Sequence, residues 1–482
     1  MTTPPATPAS TDAPLRVAIL GAGPGGYPAA FLAAEKGLDV TLIDIEQNPG
    51  GVCLYRGCIP SKALLHVANV VNEAHEAIEL GVTFGEPQID VDRVRIWKDD
   101  VVAKLTGGLG QLSRARHVKY VRGRGRFSGP NSIRVSNDGE LSEVNFDYAI
   151  IATGSTPAIP GPLRIESDRV WDSTAALELR EVPDTLLIIG GGYIGLEMAS
   201  VYAALGSQVT VVEMTGSLLP GVDADLVQAL ERRIKPKLAE LLLNTTVASI
   251  ADDESGGVAV ELTAVDKHET RRFDRVLIAV GRRPNTGDLG LEQTKVTLNT
   301  RGFIETDHQR RSGEPSIFAI GDVAGEPMLA HKATHEGRVA IETIAGEPAA
   351  WEPAAIPAVV FTDPEIAWCG LTENEARTRG IDVEVTKYPW TASGRALTMA
   401  RSDGFTKLII EPRTERILGM AVVGHGAGEL IAEGVLAVEM GACVEDLQRS
   451  IHPHPTLTET VMESAETFYN TSPHYIARRR RS

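Results

Sequence analysis

Cysteine is scarce in this chain: Cys53, Cys58, Cys369 and Cys443 are the four in 482 residues. So few sulfurs exclude a disulfide-stapled scaffold, and one close pair, Cys53 and Cys58, is left to explain. Long apolar runs are missing too. None reaches the roughly 18 residues that carry a helix across a bilayer, so no membrane association is expected. Positive charge is in deficit, with 47 Lys and Arg against 64 Asp and Glu and a formal net charge of −17. Binding a phosphate backbone needs clustered cations, which argues against nucleic acid as a partner. Residues 1–14 hold no Lys or Arg and are rich in Thr, Pro and Ala. They have neither the basic start and apolar stretch of a secretory signal nor the Arg-rich helix of a transit peptide. A short disordered leader on a cytoplasmic protein is expected. The exception to the acidic balance is Arg478 to Arg481, either a frayed, solvated end or a docking patch for an acidic partner.

The composition that remains is ordinary for an α/β protein: 43% apolar, 23% charged, with 47 glycines. A chain this long exceeds one hydrophobic core, so two to four domains are expected. Arg16-Val-Ala-Ile-Leu runs into Gly21-Ala-Gly23-Pro-Gly-Gly26, a helical stretch follows to about Lys36, and Val40-Thr-Leu-Ile-Asp44 closes the segment. This is strand, Gly-x-Gly-x-x-Gly turn, helix, strand, with an acid at the end. The glycines permit a tight turn and let a pyrophosphate approach the helix N-terminus, where free N–H groups and the dipole favour anions. Asp44 can accept hydrogen bonds from ribose hydroxyls.

The pattern then repeats. Thr185-Leu-Leu-Ile-Ile leads into Gly190-Gly-Gly192-Tyr-Ile-Gly195, and Gln208-Val-Thr-Val-Val-Glu213 ends the second unit. Two such units imply two nucleotides. A carboxylate at Glu213 pairs with a free 2′-hydroxyl and repels a 2′-phosphate, and no Arg follows directly to receive one, which favours NAD over NADP.

Between the units lies Gly50-Gly-Val-Cys53-Leu-Tyr-Arg-Gly-Cys58-Ile-Pro-Ser-Lys62. A metal site would want more Cys or His at ligand spacing, and His66 alone is near, so no metal is expected. A structural disulfide over so short a loop would add only about 2 kcal/mol, which a large cytoplasmic protein does not need. Two buried, inert thiols are a further reading. A redox-active disulfide accounts for the pair better. The sulfurs fall where a helix is expected to begin, and the positive end of a helix favours a thiolate.

With these features the chain resembles the flavin- and pyridine-nucleotide-linked disulfide oxidoreductases, over about residues 15–468. The run from Gly50 to Leu65 carries the likeness, with Ala152-Thr153-Gly154, Val280-Gly281-Arg-Arg-Pro-Asn285, Ile320-Gly-Asp322 through Ala330 to Lys332, and His452-Pro-His454 to Glu459. Two positions depart from the family pattern: Tyr55 stands where a smaller polar residue or Val is frequent, and Pro453 where Ala is usual. Neither is expected to touch a reacting atom.

The resemblance implies an α/β fold with two Rossmann-like dinucleotide-binding domains, for FAD and NAD, and a C-terminal α+β dimerisation domain. It divides the chain into the leader 1–14, an FAD domain 15–160, an NAD domain 161–283, a central segment 284–352 completing the FAD side, and a dimerisation domain 353–482. By the same resemblance Cys53 is the interchange thiol that meets substrate and Cys58 the thiolate against the flavin. Lys62 stands near the flavin N5, paired with Glu197, and Asp322 binds the ribityl chain. Gly21, Gly23, Gly26, Asp44, Thr153, Gly154 and Ala330 complete the FAD set. Gly190, Gly192, Tyr193, Gly195, Glu197, Glu213, Val280 and Gly281 form the NAD set, with Tyr193 in the path of the nicotinamide. His454 is the acid/base, oriented by Glu459, with His452 its non-catalytic neighbour.

The implied activity is oxidation of dihydrolipoamide by NAD+ in a homodimer. The dithiol arrives on a lipoylated acyltransferase core or a lipoyl carrier protein, since the chain holds no lipoyl domain of its own. Glutathione- and mercuric-reductase-like activities are the alternatives. The first usually wants NADPH, which Glu213 opposes, and the second a C-terminal cysteine pair, which is missing. A transhydrogenase of this fold would be expected to lack the working disulfide, and a silent structural flavoprotein to have lost Cys53, Cys58 or His454; all three are present. Cys369 and Cys443 are read as structural.

Overall fold

The computed structural model describes residues 13–476 except 255 and 266. All but the last two residues of the expected leader, and the whole Arg478 to Arg481 tail, lie outside the described residues. The described residues form two compact units: those within 13–55, 102–156 and 283–352 make the smaller, and those within 56–101, 157–282 and 353–476 the larger. Residues 56–101, which the sequence reading counts with the FAD segment, pack in the larger unit because the helix Cys58–Glu76 lies against the helix Tyr193–Ala204.

The smaller unit is built on a five-stranded parallel sheet, in the order Ile317–Ala319, Tyr148–Ile151, Arg16–Leu20, Asp39–Asp44, Lys119–Arg122. Its strands read as nearly continuous apolar runs because both faces are covered. Along Arg16–Leu20, Val17 and Ile19 enter one core with Ala29, Ala33 and Ile341, while Ala18 and Leu20 enter the opposite core with Phe127, Ile133 and Phe146. The second core is closed by a three-stranded antiparallel sheet, Arg124–Gly129, Ser132–Asn137 and Glu140–Asn145.

The larger unit repeats this plan. Its parallel sheet runs Glu240–Leu242, Gln208–Val212, Thr185–Ile189, Arg275–Ile278, Val170–Trp171, and Thr246–Asp253, Gly257–Ala264 and Lys267–Phe273 form the antiparallel layer. Leu186 and Ile188 face one core and Leu187 and Ile189 the other. In both parallel sheets the glycine turn follows a central strand at its carboxyl end, where open α/β sheets bind ligands. The remainder is a five-stranded antiparallel sheet, Ala358–Val360, Glu365–Gly370, Ile417–Gly424, Phe405–Ile410, Glu384–Pro389, with the helices Ala427–Met440 and Glu459–Phe468 packed on it. This is the α+β arrangement expected of the C-terminal part. Cys369 is buried in its core, which pushes its thiol pKa up to about 12 and makes it inert. Among the described residues no helix is long and apolar enough to cross a membrane.

Trp390, fully buried, anchors the C-terminal sheet and donates its indole N–H to Thr406 Oγ1 at 3.1 Å. Gly424 lies under the ring at φ +147°, where a Cβ would stand 2.2 Å from Trp390 Cζ3. Gly424→Ala must displace the ring and should lower stability by about 1–3 kcal/mol. Urea unfolding followed by tryptophan fluorescence measures this, and an unchanged midpoint would show that the ring has room.

Candidate active site

Both glycine turns obey one geometric rule. Gly21, at φ +103°, passes so close to the end of Tyr148–Ile151 that a Cβ would lie 2.3 Å from the Ala152 carbonyl oxygen. Gly26, opening the helix Gly26–Glu35, would put a Cβ 1.8 Å from the Gly21 carbonyl oxygen. The second turn repeats these approaches, at 2.4 Å between Gly190 and the Ala279 oxygen and 2.1 Å between Gly195 and the Gly190 oxygen. The middle glycines differ in kind. A Cβ on Gly192 would meet nothing within 4 Å, and one on Gly23 only the Gly51 Cα at 3.9 Å. Those positions border open space at helix N-termini with no side-chain cap, which is room for a pyrophosphate and donors to hold it. The two turns therefore fit FAD and NAD.

The terminal acids are held alike. Asp44 accepts N–H groups from Ala22 at 2.6 Å and Glu46 at 3.0 Å. Glu213, 6% exposed, accepts the Gly191 N–H at 2.8 Å on one oxygen, and on the other the Thr215 N–H and hydroxyl, each at 2.8 Å. Thr215, which sequence reasoning missed, thus steadies the acid that is expected to choose the nucleotide. Val280 is exposed, and Gly281 at φ +127° leads the chain out of the strand Arg275–Ile278.

In the smaller unit Thr153 and Asn285 are tied reciprocally: Thr153 Oγ1 donates to the Asn285 carbonyl at 2.8 Å and Asn285 Nδ2 to the Thr153 carbonyl at 2.9 Å. Gly154, at φ +72°, accepts the Asn285 N–H at 2.9 Å. Asp322 accepts the Ser155 hydroxyl at 2.5 Å, and Ala330 opens the helix Ala330–Ile344. Ser155 is another residue with no signal in the sequence.

Cys53 lies in the short helix Gly51–Arg56, and Cys58 is the first residue of the helix Cys58–Glu76. Nineteen residues of helix dipole therefore point their positive end at the Cys58 position, where a thiolate is favoured. One turn on, Lys62 Nζ lies 3.0 and 2.9 Å from the two oxygens of Glu197. Glu197 is 3% exposed and also accepts the Phe361 N–H at 3.2 Å, while the Lys62 ammonium sits 4.3 Å from the centre of the Phe361 ring. Phe361, from the C-terminal segment, was not singled out by sequence. Its backbone and ring fix the pair from a third direction. Tyr193 opens the same helix that carries Glu197 and is 40% exposed.

The two histidines near the C-terminus are separated by their hydrogen bonds. His452 Nδ1 lies 2.9 Å from the Ser450 carbonyl and its Nε2 2.8 Å from Glu433 Oε1. Both partners can only accept, so both ring nitrogens must donate, and the Glu433 bond raises the His452 pKa above its ordinary value. With both ring nitrogens engaged by the protein, His452 has none left to offer a substrate. His454 commits one nitrogen: Nδ1 is 2.8 Å from Glu459 Oε1. Burial opposes the charge of Glu459, but the Thr456 N–H at 2.8 Å and the His454 bond outweigh it and hold the carboxyl below its usual range. Glu459 is thus an anion at neutral pH that fixes Nδ1 as the protonated nitrogen. Nε2 is left as the acceptor, on a ring that is 76% exposed.

Among the described residues, the cluster of carboxylates close enough for a cation is Asp223, Asp225 and Glu373. The buried Lys407 ammonium already lies 2.7, 3.1 and 2.8 Å from them. That charge fills the role a metal would have.

The pyridine nucleotide-disulphide oxidoreductase family model matches residues 15–337, and the dimerisation domain of that family matches residues 356–465. A dihydrolipoyl dehydrogenase of Vibrio parahaemolyticus is 49% identical over 95% of this chain and 96% of its own length. That of Geobacillus stearothermophilus is 45% identical over 95% and 97%. Among solved structures, LpdA from Mycobacterium tuberculosis superposes with a TM-score of 0.87 at 29% identity, covering 94% of this chain and 99% of that one. The HOCl-induced flavoprotein disulfide reductase RclA from Escherichia coli gives 0.84 at 28%, covering 94% and 99%.

The His452–Glu433 pair carries a pH dependence. A histidine whose folded pKa is raised contributes stability that is complete below its unfolded pKa of about 6.5 and is lost as pH rises through the folded value. The stability lost in Glu433→Gln should therefore be larger at pH 6 than at pH 9. Denaturant midpoints at the two pH values test this, and a larger loss at pH 9 would overturn the protonation assigned to His452.

Proposed function

The chain belongs to the pyridine nucleotide-disulphide oxidoreductase family, and on that premise we propose that it oxidises the dihydrolipoyl group of a carrier protein with NAD+, as dihydrolipoyl dehydrogenases do. The observation that carries the substrate is 49% identity to a dihydrolipoyl dehydrogenase over nearly the whole of both chains. FAD is its cofactor, held by the Gly21 to Gly26 turn, Asp44, the Thr153–Gly154 turn, Asp322 and Ala330. NAD+ takes the Gly190 to Gly195 turn, Glu213 and the Val280–Gly281 segment. The family's dimerisation domain supports a homodimer. The dithiol is presented by a lipoylated acyltransferase core or a lipoyl carrier, and a cytoplasmic setting suits thiol chemistry of this kind.

The chemistry starts at a thiol that is mostly protonated at neutral pH, since an ordinary thiol titrates near pH 8.5. His454 Nε2 accepts that proton, and Glu459 stabilises the imidazolium that results. The substrate thiolate attacks Cys53 of the Cys53–Cys58 disulfide, forming a mixed disulfide and releasing Cys58 as a thiolate. The second substrate thiol displaces Cys53, leaving lipoamide and a reduced cysteine pair. FAD supplies the two-electron relay between the cysteine pair and NAD+. With the pair reoxidised to the disulfide, NADH and one proton leave. Lys62 presents a fixed positive charge, held in place by Glu197 and Phe361.

Glu213 sets the nucleotide. The wild type should prefer NAD+ to NADP+ by a large factor, and Glu213→Ala should erode the preference mainly by raising the KM for NAD+. Equal use of both nucleotides by the wild type would remove Glu213 from the selection.

The family resemblance also implies that the disulfide of one subunit meets His454 of the other, giving two equivalent composite sites in a two-fold dimer. Cys53→Ser and His454→Gln homodimers should each be nearly inactive in dihydrolipoamide-dependent NADH formation. On mixing and exchange of equal amounts, about half the dimers become hybrids, each with one intact site, and roughly a quarter of wild-type activity should return. Exchange shown by co-purification of differently tagged subunits, with no recovered activity, would refute the shared site.

A further inference from the structure

Glu336, in the helix Ala330–Ile344, is wholly buried at 0% exposure. Its Oε2 accepts the Gly321 N–H at 2.6 Å, and its Oε1 lies 2.9 Å from the Nζ of Lys332, one turn earlier. Arg310 Nη2 approaches the same carboxylate to 3.5 Å. Lys332, 4% exposed, also donates to the carbonyls of Gly321 at 3.4 Å and Gly325 at 3.1 Å. Gly321 adopts φ +75°, and a Cβ there would stand 2.9 Å from that of Ala333. The pair therefore grips both ends of the turn from 321 to 325, and inside that turn is Asp322.

Stability alone does not account for such a pair. Desolvating two charges consumes most of their attraction, and apolar side chains of similar volume usually serve a core as well or better. An apolar pair could not accept the Gly321 N–H while donating to the Gly325 carbonyl. The ions are needed where the orientation of the backbone matters, and what this backbone orients is the Asp322 carboxylate.

We infer that Glu336 and Lys332 are positioning residues for the flavin: they lock the turn from 321 to 325 so that Asp322 meets the ribityl chain without first having to be ordered. This rests on the proposed role of Asp322. Holding that turn ready removes an ordering cost from binding, so its loss appears as weaker FAD retention.

Two variants test it: Glu336→Gln, which removes the charge, and Lys332→Met/Glu336→Leu, which replaces the pair by apolar bulk if the first does not fold. FAD release from the holoenzyme is followed by flavin fluorescence. Rebinding to the full-length chain freed of flavin is then titrated with FAD and, separately, with ADP. ADP uses the Gly21 to Gly26 turn and Asp44 but has no ribityl chain. FAD affinity should fall roughly ten- to a hundredfold, as for loss of a charge-assisted hydrogen bond, with ADP affinity unchanged. Unaltered FAD affinity in a folded variant overturns the inference, as does an equal loss for FAD and ADP, which would mean general damage to the unit. Asp322→Asn separates this from the underlying reading. If it weakens FAD and the Glu336 variants do not, the positioning role alone falls. If Asp322→Asn leaves FAD affinity intact, the flavin role of the turn falls with it.

Discussion

The constraint on which the rest of this structure depends is the contact between a glycine and a carbonyl oxygen. A dinucleotide's pyrophosphate reaches backbone N–H groups only where no side chain intervenes and where strand, turn and helix are drawn tightly together. At Gly21 and Gly190 the chain passes within a Cβ's reach of the oxygens of Ala152 and Ala279, and at Gly26 and Gly195 the helix start is pulled onto the turn itself. The sheet order serves these contacts. In each parallel sheet the strand leading into the turn is flanked on both sides, and its side chains alternate between two cores. A turn mounted on strands buried on both faces is held rigidly enough for a few N–H groups to stay aimed at one place.

Around these rigid turns the charged groups are oriented by being fully bonded. Glu213, Glu197 and Glu459 each accept at least two hydrogen bonds from the protein. Such bonding settles which atom faces outward. For Glu459 it also decides the chemistry of a neighbour, since a carboxylate bonded to His454 Nδ1 leaves Nε2 to take a proton. His452, two residues away and of the same type, has both nitrogens committed and cannot do so. What distinguishes the two rings is the number of partners each meets among the described residues: two for His452 and one for His454.

Much of this was legible in the sequence wherever the cause is local. A strand, a turn of fixed glycine spacing and the following helix lie within thirty or so residues, and the steric demand at each glycine is met by its own segment. The second strand of each unit closes on its acid, Asp44 at the end of Asp39–Asp44 and Glu213 directly after Gln208–Val212. His454 and Glu459 lie five residues apart, and the turn leading into the helix Glu459–Phe468 brings them to 2.8 Å. Cys58 opens a helix whose first turn holds Pro60, where the missing N–H costs no intrahelical bond.

From the residues alone come the two nucleotide turns, their acids and the close cysteine pair, because each is specified by short-range sterics and spacing; the roles of His454 and Glu459 come from the family resemblance. Tertiary structure alone decided what supports them. Ser155 bonds Asp322 across 167 positions, and Phe361 reaches Glu197 across 164. Lys332 and Glu336, four residues apart, read as an ordinary surface pair on a helix, and burial against the turn at Gly321 is what makes them a clamp. No local pattern encodes such contacts. They form when separate segments pack with their apolar faces together, and each buried polar group must then bond with whatever the packing brings beside it.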